Sequence, residues 1–156
     1  MTKTMIGVIG GSGLYEIGGL EGAEWITVDS PWGAPSDAIL TGRLDGVAMA
    51  FLPRHGRGHR INPTKLPVRA NIYALKVLGV ERIISVAAVG SLKQELKPLD
   101  AVLPDQIIDR TRRTVNTFFD NDIVAHVPFA EPFCPVTSQV LWQAAVDLDV
   151  TIHKGG

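Results

Sequence analysis

The chain has 156 residues, 46% of them hydrophobic and 20% charged, with a formal net charge of −1. That length fits one domain with a buried core, and the near-neutral charge argues against the strongly basic footprint of a nucleic-acid binder. No apolar run approaches the roughly 20 residues of a membrane-spanning helix, and Met1–Gly13 lacks the apolar stretch and cleavage site of a signal peptide. The single Cys134 cannot form an intrachain disulfide, which favours a reducing cytoplasm.

The first predicted strand, Met5–Ile9, runs straight into Gly10-Gly11-Ser12-Gly13. Glycines at a strand end leave backbone N–H groups open to an anion, and the serine adds a hydroxyl. The spacing fits neither a dinucleotide fingerprint, because Glu16 stands where the third glycine belongs, nor a nucleoside-triphosphate loop. It is not a nucleophile elbow either, since Leu14 replaces the closing glycine. Taken alone, the segment reads equally well as a plain tight turn.

Further strands are predicted at Trp25–Val28, Ala38–Thr41 and Val47–Leu52, the last ending in Pro53-Arg54-His55-Gly56. Between Asp45 and Glu81 there is no acidic residue, while Arg54, Arg57, Arg60, Lys65, Arg69 and Lys76 all fall there. Lys65, Arg69 and Lys76 read as a solvated face. Arg54, Arg57 and Arg60, in a glycine loop with two histidines, read as an anion site. His55 and His59 have a metal-like H-x₃-H spacing, but the arginines around them oppose a cation, so no metal is assigned.

A helix is predicted over Pro67–Leu78, with Ala70, Tyr73, Ala74 and Val77 inward and Gly79 as its stop. The strand predicted next, Arg82–Val89, would then run parallel to Val47–Leu52. Ligands of such sheets sit beyond the carboxyl ends of the strands. The loops Gly10–Gly13, Arg54–His55 and Val89–Ser91 are therefore expected to converge, with Ser91 capping a turn.

A strand over Ala101–Ile108 and a long loop, Asp109–Pro135, follow; the loop carries Phe118, Phe119, His126 and Phe129. A second helix is predicted over Val136–Leu148, with Val140, Leu141, Ala144, Ala145 and Leu148 inward. Thr151-Ile152 reads as the opening of another strand, so the sheet looks severed at its end. The expected fold is α/β, a mixed, largely parallel central sheet flanked by helices. Residues 1–156 are expected to be the N-terminal portion of a single domain without an internal boundary.

Val8–Leu14, Pro53–His59, Ala70–Lys76, Gly90-Ser91-Leu92, Asp105–Thr111 and Ala130–Pro135 together resemble the 5′-methylthioadenosine phosphorylases. These form a branch of the purine nucleoside phosphorylase group, and Phe118-Phe119-Asp120 is similar to the methylthio branch in particular. The resemblance implies phosphorolysis of methylthioadenosine to adenine and 5-methylthioribose 1-phosphate. It implies inorganic phosphate as co-substrate, no cofactor and a homotrimer. Ser12, Arg54, His55, Ala87 and Ala88 match the phosphate ligands, with Arg54 and His55 as the catalytic pair. Where some relatives have threonine at position 87, this chain has alanine, leaving only backbone contact. His126 matches a histidine that reaches a neighbouring subunit's site near the 5′ substituent, and Phe129, an aromatic of the same loop, is expected to line that pocket with it. The family's Glu-Gly-Pro stretch and purine-facing aspartates are expected beyond Gly156.

On this reading a bound phosphate attacks the sugar as the base departs, and the protein supplies positioning and preorganised charge. A serine hydrolase using Ser12 and His55 and a non-catalytic phosphate-binding module remain as alternatives. So does a phosphorylase of methylthioinosine or ordinary purine nucleosides.

Overall fold

The computed structural model describes residues 4–11, 13, 14, 16–111, 113, 117–119 and 122–155. They fall into two compact units, residues 1–88 with 113–118, and residues 89–112 with 119–156.

The first unit is a five-stranded mixed sheet with one covering helix. Its strands are β1 (Met5–Gly10), β2 (Glu21–Ile26), β3 (Ile39–Leu44), β4 (Val47–Pro53) and β5 (Val80–Ser85), in spatial order β2-β3-β4-β1-β5. β4, β1 and β5 are parallel, whereas β2, β3 and β4 pair antiparallel. Asp45 and Gly46, with φ of 47° and 75°, make the tight reversal between β3 and β4. Both central residues of that turn need positive φ, the condition that Asp-Gly meets. β4 is the middle strand, and its uninterrupted apolar run Ala48–Pro53 suits a strand covered on both faces.

Helix α1 (Val68–Val77) connects β4 to β5 across β1. Ile39, Ala50, Leu52, Ala74 and Leu75 form one core cluster, and Val8, Leu40 and Phe51 a second against which Leu14, Ile17 and Leu20 pack. The buried face of α1 is Ala70, Asn71, Ala74 and Leu75, rather than the Ala70–Tyr73–Ala74–Val77 stripe expected. Asn71 takes an inward place because both the oxygen and the nitrogen of its amide are hydrogen-bonded. Its Oδ1 accepts from Ser36 N at 2.8 Å and its Nδ2 donates to Ser36 Oγ at 2.8 Å. Val77 is left exposed, and Tyr73 packs edge-on against Trp32, as does Phe118. Gly79, at φ 88°, ends the helix as expected.

The second unit holds β6 (Ala101–Leu103), α2 (Pro135–Asp147) and β7 (Ile152–Lys154), with β6 and β7 parallel. Two strand expectations prove too long: β5 stops at Ser85 rather than Val89, and β6 at Leu103 rather than Ile108. At β5 the apolar run outlasts the pairing with β1, which ends at Ile9 and Ser85, and at β6 Pro104 follows directly, with no N–H to continue a ladder. α2 buries none of its residues; Val140, Ala144 and Leu148, expected inward, are exposed. Among the described residues, 104–134 hold neither helix nor strand. No helix among the described residues is long and apolar enough to cross a membrane.

Candidate functional site

The ends of the three parallel strands are tied together by the main chain. Arg54 N donates to Gly10 O at 2.8 Å, and Val86 N donates to Ile9 O at 2.8 Å. Onto this platform the turn after β4 places its side chains. Arg54 reaches across β1, donating from Nη1 to Val86 O at 3.2 Å. Its Nε donates to His55 Nε2 at 3.2 Å. Arg54, His55 and the Val86–Ala88 segment therefore share one end of the sheet with Gly10, Gly11 and Gly13. Ser12 lies outside the described residues.

His55 is held by both ring nitrogens. Nδ1 lies 2.8 Å from the carbonyl oxygen of Ile61. A carbonyl only accepts, so Nδ1 carries the proton, and the neutral ring turns an Nε2 lone pair to the Arg54 N–H. One backbone oxygen thus fixes the tautomer. This arrangement also differs from a serine-hydrolase base, whose Nδ1 is oriented by a carboxylate. His59 stacks on His55 at 5.3 Å with the rings 8° from parallel.

The remaining cations of the turn are committed elsewhere. Asp37, just before β3, accepts from Arg57 N at 2.7 Å, Arg57 Nε at 3.2 Å, Arg57 Nη2 at 2.9 Å and Arg60 Nη2 at 3.2 Å. The Arg57 guanidinium also lies 4.1 Å over the Trp25 ring. Sequence reasoning missed Asp37 because it lies outside the acid-free stretch and meets Arg57 from 20 residues away. Burial alone would raise the Asp37 pKa, but the Arg57 hydrogen bonds, that from Ala38 N and the Arg57 charge outweigh it and hold it at about 2. Of the three arginines read as an anion site, only Arg54 is turned to the strand ends.

Gly56 allows the turn its shape. Its φ is 70°, and a Cβ there would stand 3.0 Å from Ser36 O. An L side chain would be both strained and crowded.

His126 and Phe129 belong to the second unit and are exposed. Gln106 Nε2 donates to the carbonyls of Phe129 and Ala130 at 3.3 and 3.4 Å, fixing the chain there. Val89–Ser91, expected among the converging loops, also lies in the second unit, where the Ser91 hydroxyl closes a turn with Lys93. In that unit His153 Nε2 meets Asp100 Oδ2 at 2.8 Å. A cavity of about 330 Å³ is lined by Leu103, Asp105, Glu131, Phe133 and Lys154 among others.

The sequence pattern of the phosphorylase superfamily matches residues 5–156. The chain belongs to that superfamily, and its mixed α/β sheet is the fold of its structural neighbours. It is 58% identical over 155 residues to the S-methyl-5′-thioadenosine phosphorylase of Geobacter sulfurreducens, covering 99% of this chain and 54% of that protein. Identity to the corresponding protein of Hyperthermus butylicus is 53%, covering 99% and 56%. A methylthioadenosine phosphorylase from an antarctic soil metagenomic library superposes with a TM-score of 0.94 at 49% identity, covering 99% of this chain and 55% of that one. The Schistosoma mansoni methylthioadenosine phosphorylase in complex with adenine gives 0.89 at 40% identity, covering 97% and 56%. The chain thus spans about half the length of the curated relatives it matches.

Proposed function

We propose that the full-length protein carrying this chain is a 5′-methylthioadenosine phosphorylase. It takes the nucleoside and inorganic phosphate to adenine and 5-methylthioribose 1-phosphate. The observation that carries this reading is the Arg54–His55 pair anchored across the ends of β4, β1 and β5. The relatives named above support the choice of substrate.

Arg54 and His55 hold the phosphate, with Ser12 and the backbone of Ala87 and Ala88. A phosphate oxygen bonds to C1′ as the C1′–N bond breaks; the base leaves with that electron pair and takes up one proton to become adenine, while the phosphate dianion gives up its own on becoming the ester. The sugar gains positive charge on the way, which the phosphate's negative charge stabilises, while the guanidinium keeps the phosphate in line. His126 and Phe129 line the 5′ pocket of a neighbouring subunit in a cytoplasmic homotrimer. No cofactor takes part.

The decisive assay follows adenine release from methylthioadenosine by the full-length protein with and without inorganic phosphate. Release that depends on phosphate, with 5-methylthioribose 1-phosphate as co-product, is expected. Release in water alone, or none, would overturn the proposal.

A further inference from the structure

We infer that Asp37 is a positioning residue for this phosphate site: it sets the path of the Arg54–Arg60 turn and withdraws Arg57 and Arg60 from the anion. The inference rests on reading Arg54 and His55 as phosphate ligands.

Asp37 stands at the foot of β3, outside the turn it grips. Its side chain is only 5% exposed, whereas those of Arg57 and Arg60 are 48% and 63% exposed. The grip begins on the main chain, at Arg57 N, two residues after His55. Inside the turn Gly56 N donates to Pro53 O at 3.0 Å and Ile61 N donates to His55 O at 3.0 Å. Those bonds close the turn on itself; Arg54 N ties it to β1 on one side, and Asp37 ties it to the start of β3 on the other. Asp37 is in turn placed by Ser36, which is 3% exposed and bonded twice to Asn71 of α1. A path of contacts therefore runs from the helix through Ser36 and Asp37 to the turn that presents His55.

Two consequences of losing the carboxylate oppose each other. Freed arginines add positive charge, which attracts phosphate. They are solvated, however, and a Debye length of about 8 Å screens them, so the gain is about twofold at most. A reacting group displaced by about 1 Å can cost about a hundredfold. Loss of position wins, so removing Asp37 weakens phosphate binding despite the added positive charge.

The test compares Asp37→Asn, Arg57→Gln and the double variant with the unaltered full-length protein. The measurements are kcat, KM for phosphate and KM for methylthioadenosine, with Tm beside them. Asp37→Asn should raise the phosphate KM about tenfold. The nucleoside KM should hold, and kcat at saturating phosphate should stay within about threefold. Arg57→Gln should do less, because its backbone N–H still meets Asp37. The double variant should be no worse than Asp37→Asn, because the two act through one contact. A uniform fall in activity that tracks Tm, or an unchanged phosphate KM, would overturn the inference. If Asp37→Asn does not fold, Arg57→Gln and Arg60→Gln decide, and unchanged phosphate KM in both overturns it. Titration with inorganic phosphate, followed by the His55 ring resonances, reads the anion site without turnover. A wild-type protein that binds phosphate but releases no adenine sinks the phosphorylase reading. The variants' phosphate affinities then judge Asp37 by themselves, while absence of phosphate binding removes both ideas.

Discussion

His55 Nδ1 donates to the carbonyl oxygen of Ile61, six residues further along, at 2.8 Å. The proton on that nitrogen is thereby committed, and Nε2 meets Arg54 as an acceptor. A phosphate dianion carries one P–OH, which can donate to that Nε2 with no change in the ring's protonation. His55→Leu, which cannot accept it, should weaken phosphate binding about three- to tenfold, the scale of one lost hydrogen bond. Calorimetric titration of the full-length protein with inorganic phosphate checks this, and an unchanged affinity would refute the bond.

Arg54→Ala in the full-length protein should raise the phosphate requirement by about ten- to a hundredfold. A charge-assisted hydrogen bond contributes roughly 1.5–3 kcal/mol. Arg54→Lys should recover little of it. Only the planar fork meets His55 through Nε and Val86 through Nη1 at once. Steady-state kinetics with varied phosphate settles it, and full rescue by lysine would count against the fork.

Asp37 gives the fold a defined acid sensitivity. Its folded pKa of about 2 lies below the ordinary 3.8, so its stabilising effect is complete above about pH 4 and is lost as pH falls through 2. Solvent around Arg57 and Arg60 reduces the contribution to about 1–2 kcal/mol. Urea midpoints measured from pH 6 to pH 2.5 should fall more steeply for the natural protein than for Asp37→Asn. Parallel curves would show that the pair stabilises nothing.

Asn71→Ala should destabilise by about 2–4 kcal/mol, because it strands the Ser36 N–H and hydroxyl in a buried place. Asn71→Asp can still accept from Ser36 N but buries a carboxylate, so it should rescue poorly. Chemical denaturation measures both. A loss below 0.5 kcal/mol for Asn71→Ala would mean that water replaces the pair.

In the proposed homotrimer, His126→Ala should raise the KM for methylthioadenosine about three- to tenfold and leave the phosphate KM alone, as expected for one lost hydrogen bond. Sedimentation of the full-length protein tests the assembly itself. A fully active monomer would exclude a neighbour's histidine.

Much of the first unit is legible in the chain because its signals are local. Met5–Ile9 and Val47–Leu52 are apolar runs closed by glycine or proline. Pro67 and Gly79 bracket a helix, and the helix between two strands makes those strands parallel. Even Asp45-Gly46, the signal for the antiparallel β3–β4 reversal, stands in the sequence. Arg54-His55, following the apolar run of β4, is likewise placed at a strand end by the sequence, where the structure has it.

Tertiary structure decided what depends on partners far apart in the chain. It inserted β1 between β4 and β5, bringing Gly10 and Val86 to Arg54. It turned α1 so that Asn71 went inward, which only the polar groups of Ser36 could make tolerable. It matched Asp37 to Arg57 and Arg60, so an apparently uncompensated basic loop became an ion-paired scaffold with Arg54 alone turned to the strand ends. It chose the tautomer of His55 through the carbonyl of Ile61. Periodicity and composition report what each segment prefers to bury; they carry no record of which distant oxygen will meet which N–H, and that pairing is what shapes the site.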